Sequence, residues 1–379
     1  MADFNLQFAR DGFELTMDLL LNLASGTINK SIVFSPLSVQ ICVALAFAGA
    51  EGETAEEIVQ GMKFVSREPS EVAAFFRDVL EQYKTREILK IANKVYVHNI
   101  CKMKPEYELS LKENYFTETE VVNFGDKMTA ARVINSWVEQ ETAGKITDLI
   151  PRNCLGDDTR LVLLNAIYFK GDWKNKFDVK LTKENDFWIN QVESVKVTYM
   201  YQKAKFGFGY FENLNCTALE MPYSDPELSM LILLPDNRDG LQNLVENLRT
   251  VNLIELIDKM FTKEVMVKFP KFKIDFSVDL QDTLRKMGVN KMFDGDAEFY
   301  NMLEHPEIIY VSNVIHKACI EVNEEGTETV AATGMVMRLS SVPYNDKECE
   351  IDHPFLYMIW NRKKNVLFVG TFTNNVEAG

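Results

Sequence analysis

Apolar residues near the N-terminus fall at mixed three- and four-residue steps: Phe4, Phe8, Phe13, Met17, Leu20 and Leu21. That spacing lines one stripe of a helix and predicts a long amphipathic helix over 3–23. Ser31-Ile32-Val33-Phe34 reads as a short strand ending at Ser35-Pro36, and proline suits a first helical turn. Residues 37–47 are apolar nearly all round, which predicts a helix buried in the middle of the molecule. Thr54, followed by Glu57, has the form of a capping box and predicts the start of the next helix. Residues 88–97 are rich in β-formers, whereas 130–142 are helical in pattern with Ile134, Trp137 and Val138 on one side. The run 161–169 is apolar apart from Asn165, as in a strand covered on both faces. Further strands are predicted at 195–201, 218–221, 230–234, 265–269 and 366–372. Helices fill the first half and strands the second, so the pattern predicts an α+β fold with a large sheet.

One stretch stands apart. From Thr327 to Met337 the chain alternates like a strand, with Thr327, Thr329, Ala331, Thr333, Met335 and Met337 on one face. Glu328, Val330, Ala332, Gly334 and Val336 take the other. The first face is small, uncharged and increasingly apolar, so it can be buried in a sheet without stranding a charge. Its surroundings are polar: Glu324, Glu325 and the hinge-like Gly326 precede it, and a polar run leads on to Cys349. A buriable strand in an exposed setting predicts an element with two states.

The chain has 379 residues, 46% of them hydrophobic, with no linker, repeat or low-complexity tract. A single domain over 1–379 is therefore expected. A net charge of −15 argues against a nucleic-acid partner. Lys84, Arg86, Lys90, Lys94, Lys102 and Lys104 are interleaved with acids and read as a solvated mixed-charge face. Cys42, Cys101, Cys154, Cys216, Cys319 and Cys349 are spread singly, without metal spacing or a disulfide framework, and Cys42 and Cys319 read as small buried hydrophobes. No cofactor or metal is expected. His98, His305, His316 and His353 occur without a nucleophile elbow, a zinc-binding helix or a phosphate loop, so no enzyme is expected. No apolar run has transmembrane length and no basic leader precedes Asp3, so no membrane partner is expected. The compartment expected is cytoplasmic or leaderless-secreted, or extracellular if a signal peptide was removed before Met1. The sequons at Asn29 and Asn215 matter only on a secretory route.

The stretch Glu321-Val-Asn-Glu324-Glu-Gly-Thr-Glu-Thr-Val-Ala-Ala-Thr333 closely resembles the hinge of the reactive-centre loop of serpins. Six further blocks look like serpin motifs in serpin order. They are Phe34-Ser35-Pro36-Leu37-Ser38, Asn165 through Gly171 with Trp173, Pro270-Lys271-Phe272, His316-Lys317-Ala318, Asp352-His353-Pro354-Phe355, and Phe368 with Gly370. The resemblance covers the whole chain. It implies the serpin fold and a reactive-centre loop at about 324–350. It also implies a suicide-substrate mechanism, in which a serine protease cleaves the loop and is trapped as a covalent complex while the loop inserts into the main sheet. The expected partner is a target serine protease, the chain is expected to be a monomer, and heparin is not expected to bind. A non-inhibitory serpin (a carrier or chaperone) and a cross-class inhibitor of cysteine proteases are the alternatives.

Carried over residue by residue, the resemblance assigns a hinge at Glu324, Glu325, Gly326, Thr327, Thr329, Ala331, Ala332 and Thr333. Ser35, Ser38, Asn165 and His316 match a hydrogen-bonded cluster behind the main sheet, called the shutter. Lys271, Glu324 and Trp173 match the breach, where the loop meets the sheet. Counting from the hinge glycine puts the scissile bond at Ser340–Ser341, with Leu339 and Arg338 as the alternatives on its acyl side.

Overall fold

The structure, a computed structural model, describes residues 2–24, 30–86, 88–151, 155–305, 308–324, 347–363 and 365–373. Two sheets organise it. The first has five strands in the order β10-β11-β4-β2-β3: β2 (Leu89–His98), β3 (Thr119–Val122), β4 (Leu161–Phe169), β10 (Phe272–Asp279) and β11 (Val311–Val322). At its centre β4 and β11 lie side by side and run parallel, paired from Leu161–Val311 to Phe169–Ile320. β2 flanks β4 and β10 flanks β11, both antiparallel.

The second sheet follows the order β1-β14-β13-β8-β7-β6-β9-β12, with β5 (Lys183–Trp188) paired to β6. Its strands are β1 (Ile32–Phe34), β6 (Ser194–Phe211), β7 (Cys216–Pro222), β8 (Leu228–Pro235), β9 (Phe261–Pro270), β12 (Lys347–Glu350), β13 (Phe355–Asn361) and β14 (Val366–Phe372). The described chain leaves the first sheet after β11, at Glu324, and resumes at the edge of the second in β12.

Between the sheets sits α2 (Pro36–Phe47), every residue of which is buried. Its uniform apolarity therefore has its cause: it meets protein on all sides. α1 (Ala2–Ala24) contacts α2 and β14, and α3 (Gly52–Gly61), α4 (Pro69–Tyr83) and α5 (Pro105–Asn114) complete this side. α6 (Lys127–Glu141) covers the opposite face of the five-stranded sheet, burying Ala130, Ala131, Ile134 and Val138 against it. β4 is buried along its whole length because helices cover both faces.

Two expectations need correction. Thr54 and Glu57 do not cap α3, which starts at Gly52 after Glu51 without a side-chain cap. Thr54 Oγ1 instead accepts the backbone N–H of Glu298 (2.9 Å). Glu57 Oε2 accepts those of Asn290 (2.7 Å) and Lys291 (2.6 Å). The two side chains bind a distant segment rather than their own first turn. The strand expected at 195–201 is also longer, because β6 runs on to Phe211. Antiparallel pairing with β9 and then β7 supports it past the lysines and glycines that blur the alternation after Tyr201.

Candidate functional site

Along β4 the side chains alternate between two cores: Val162, Leu164, Ala166 and Tyr168 meet α6, while Leu161, Leu163, Ile167 and Phe169 face the α2 side. Asn165 belongs to the second set and so points at the start of α2. The register sets His316 of β11 on one side of it and Asn93 of β2 on the other. Three polar side chains thus form one rung across three central strands.

Asn165 Nδ2 donates to Ser38 Oγ at 2.5 Å and to Asn93 Oδ1 at 2.7 Å. Its Oδ1 lies 2.5 Å from His316 Nδ1, and the backbone N–H of Ser35 donates to His316 Nε2 at 3.3 Å. These partners place the imidazole proton on Nδ1 and leave Nε2 as the acceptor. Complete burial holds the His316 pKa down to about 3, so the ring is neutral near pH 7. Ser35 Oγ in turn accepts the Ser38 N–H (3.2 Å) and caps α2. Ser35, Ser38, Asn165 and His316 therefore come together in one buried network. Asn93 is a fifth member that the sequence reading passed over, although it is a buried amide in a β-rich run just as Asn165 is.

The second group lies where the chain leaves β11. Trp173 Nε1–H donates to the Asn323 carbonyl (3.0 Å), and the Phe177 N–H donates to that of Glu324 (3.1 Å). The Glu324 side chain is almost fully buried and receives Lys271 Nζ and Thr182 Oγ1, each at 2.8 Å. Burial pushes its carboxyl up, but the hydrogen bonds from Lys271, the backbone and Thr182 outweigh it and leave the pKa below the ordinary value. Trp173 stacks on Tyr223 with ring centroids 4.6 Å apart. Gly171 makes room for this: a Cβ there would come within 2.7–2.9 Å of the rings of Tyr223 and Phe169.

At the same end of the seam, Glu321 takes Lys170 Nζ (3.4 Å), the Tyr168 hydroxyl (3.3 Å) and Asn323 Nδ2 (2.9 Å). Since Tyr168 and Lys170 belong to the β4 end, these contacts tie β4 to β11. The structure thus joins Lys271, Glu324 and Trp173 around one short segment. It adds Thr182, Phe177, Tyr223 and the Glu321 tie, none of which carries a local signal in the sequence. Of the expected hinge, Glu325 to Thr333 lie outside the described residues, as do Arg338, Leu339, Ser340 and Ser341.

The chain belongs to the serpin family, whose model, "Serpin (serine protease inhibitor)", matches residues 12–375. Among curated relatives it is 36% identical to bovine (Bos taurus) leukocyte elastase inhibitor, over 97% of this chain and 99% of that one. It is 38% identical to human (Homo sapiens) serpin B4, over 91% and 94%. Among solved structures, cleaved Serpin 42Da superposes with a TM-score of 0.88 at 37% identity, covering 98% of this chain and 99% of that one.

Proposed function

We propose that the chain is a suicide-substrate inhibitor of serine proteases, acting through the segment at about 324–350. The observation that carries this reading is the closed β4–β11 seam beside an anchored Glu324. The seam supplies a place for one more strand, and Glu324 supplies the fixed end from which the chain would turn back. The small, uncharged face of Thr327, Thr329, Ala331 and Thr333 fits such a place without burying a charge. In this reading Ser35, Ser38, Asn93, Asn165 and His316 hold the seam shut, and Lys271, Trp173 and Thr182 hold the root of the loop through Asn323 and Glu324. That relatives are named as protease inhibitors supports the same direction.

The protease would attack the carbonyl of Ser340, forming an acyl-enzyme and freeing the amine of Ser341. Loop insertion would then carry the enzyme away before water completes deacylation. Strand addition of this kind buries apolar surface and completes backbone hydrogen bonds. The test pairs the intact chain with elastase-like, chymotrypsin-like and trypsin-like proteases on denaturing gels. A complex that survives denaturation is expected, with a released fragment that begins at Ser341. A fragment beginning at Ser340 would shift the scissile residue to Leu339, and one beginning at Leu339 would make it Arg338. Cleavage with no complex and no rise in melting midpoint would refute the proposal and make the chain a non-inserting serpin.

A further inference from the structure

The stretch 170–184 carries five lysines, Lys170, Lys174, Lys176, Lys180 and Lys183, against Asp172, Asp178 and Glu184, a local surplus of cations in a chain of net charge −15. Its place follows from contacts described above. Trp173 and the Phe177 N–H hold the carbonyls of Asn323 and Glu324, and Thr182 holds the Glu324 side chain, so the stretch wraps the root at which the chain leaves β11. Lys170 is engaged by Glu321. Lys174, Lys180 and Lys183 are exposed, and none of the three has a carboxylate partner among the described residues. Lys183 Nζ lies 4.9 Å from the ring centroid of Tyr201. Val179 and Leu181, on the short 3-10 turn before Lys183, are exposed as well. None of these five exposed side chains takes part in holding the root. They leave an apolar pair bordered by cations, the composition of an interface centre and its rim.

Resting on the inhibitory reading above, we infer that this patch is a docking surface for the target protease, separate from the loop. It fits an acidic, partly apolar face beside the enzyme's active-site cleft. Position is the first argument for this occupant. An enzyme that attacks the chain between Glu324 and Lys347 stands over the span between those two points. β5, which opens at Lys183, and β12, which opens at Lys347, are three strand spacings apart, about 14 Å. An interface of ordinary size, about 800 Å² on each partner and so about 28 Å across, covers both.

Charge is the second argument. The patch attracts an acidic face within about a Debye length, about 8 Å at physiological ionic strength, whereas the chain as a whole repels it. The patch therefore acts on the last step of docking. It discriminates among enzymes whose clefts accept the same residue but whose surfaces differ in sign. A long polyanion fits less well, because Asp172, Asp178 and Glu184 interrupt the lysines.

The experiment measures the second-order rate at which the intact chain's loop is attacked by an anionic and a cationic form of one protease specificity. Elastase-like, chymotrypsin-like and trypsin-like pairs are taken in turn, each at 50 and 500 mM salt. The anionic form is expected to react at least fivefold faster at 50 mM, with the ratio falling to within twofold at 500 mM. The net charge alone predicts the reverse order. In Lys174→Ser/Lys180→Ser/Lys183→Ser, with the melting midpoint of the parent, the preference for the anionic form is expected to disappear. Equal rates or a faster cationic form overturns the docking surface, and that comparison needs no variant to fold. An anionic preference that survives in the triple variant overturns it too. A loop that is cut without a stable complex refutes the inhibitory reading instead, and the ratio of cutting rates still decides the docking surface.

Discussion

Acidification should weaken the fold through His316, and the size of the effect follows from its burial. In the folded chain the ring is enclosed, accepts from Ser35 and sits against Asn165, and its pKa lies at about 3. In the unfolded chain it returns to the ordinary 6.5. The folded value is depressed, so the neutral ring contributes its full stability above pH 6.5 and loses it progressively as the pH falls towards 3. Each pH unit within that window costs about 1.4 kcal/mol, so the step from pH 7 to pH 4.5 removes about 2 to 3 kcal/mol from this group alone. The assay is urea unfolding at half-unit intervals between pH 7 and 4.5, on the parent and on His316→Gln. Glutamine keeps one donor and one acceptor but does not titrate, so the parent should lose about 2 to 3 kcal/mol more than the variant over this range. Parallel pH curves would refute the reasoning, since other carboxylates and histidines are common to both proteins.

Asn165→Ala should cost about 3–6 kcal/mol in urea unfolding, because it strips partners from Ser38, Asn93 and His316 in a fully buried site, and a loss under 1 kcal/mol would contradict the network. Lys271→Ala should raise the Glu324 pKa, since its main cationic partner is gone. The stability that Glu324 contributes above pH 4.5, and surrenders as the pH falls below it, should shrink, as the acid limb of the unfolding curve would show. On the inhibitory reading proposed above, Thr327→Arg should turn an inhibitor into a substrate, because a guanidinium entering the sheet would have to shed water at a cost of several kcal/mol; an undiminished covalent complex would contradict the assignment of the inward face.

Much of this was legible in the chain itself. The uniform apolarity of 37–47 and 161–169 gave away elements covered on every side, because nothing charged can be tolerated there. The polar exceptions, Ser35, Ser38, Asn165 and His316, were visible for the same reason. Asn93 escaped because Lys94 follows it and makes the strand look half exposed; the lysine is in fact held by Glu120 beside Trp137. Thr182 and the Phe177 N–H reach Glu324, and Tyr223 reaches Trp173, across long stretches of sequence, and no local pattern encodes those contacts. Thr54 and Glu57 misled for the converse reason: a spacing that suits a helix cap also suits two side chains reaching for another backbone.

The direction of the central seam has a consequence of its own. Because β4 and β11 point the same way, a chain that leaves β11 at Glu324 and doubles back runs antiparallel to both of them at once. Had the two strands been antiparallel to each other, any newcomer would have matched one neighbour and run alongside the other. One slanted parallel ladder would give way to two perpendicular antiparallel ones, the better-bonded kind per residue. On the inhibitory reading proposed above, the seam would be one-way. It would form antiparallel ladders with a strand arriving from the Glu324 end, whether from this chain or from the same segment of a second molecule, and the less stable parallel ladders with one threaded in reverse.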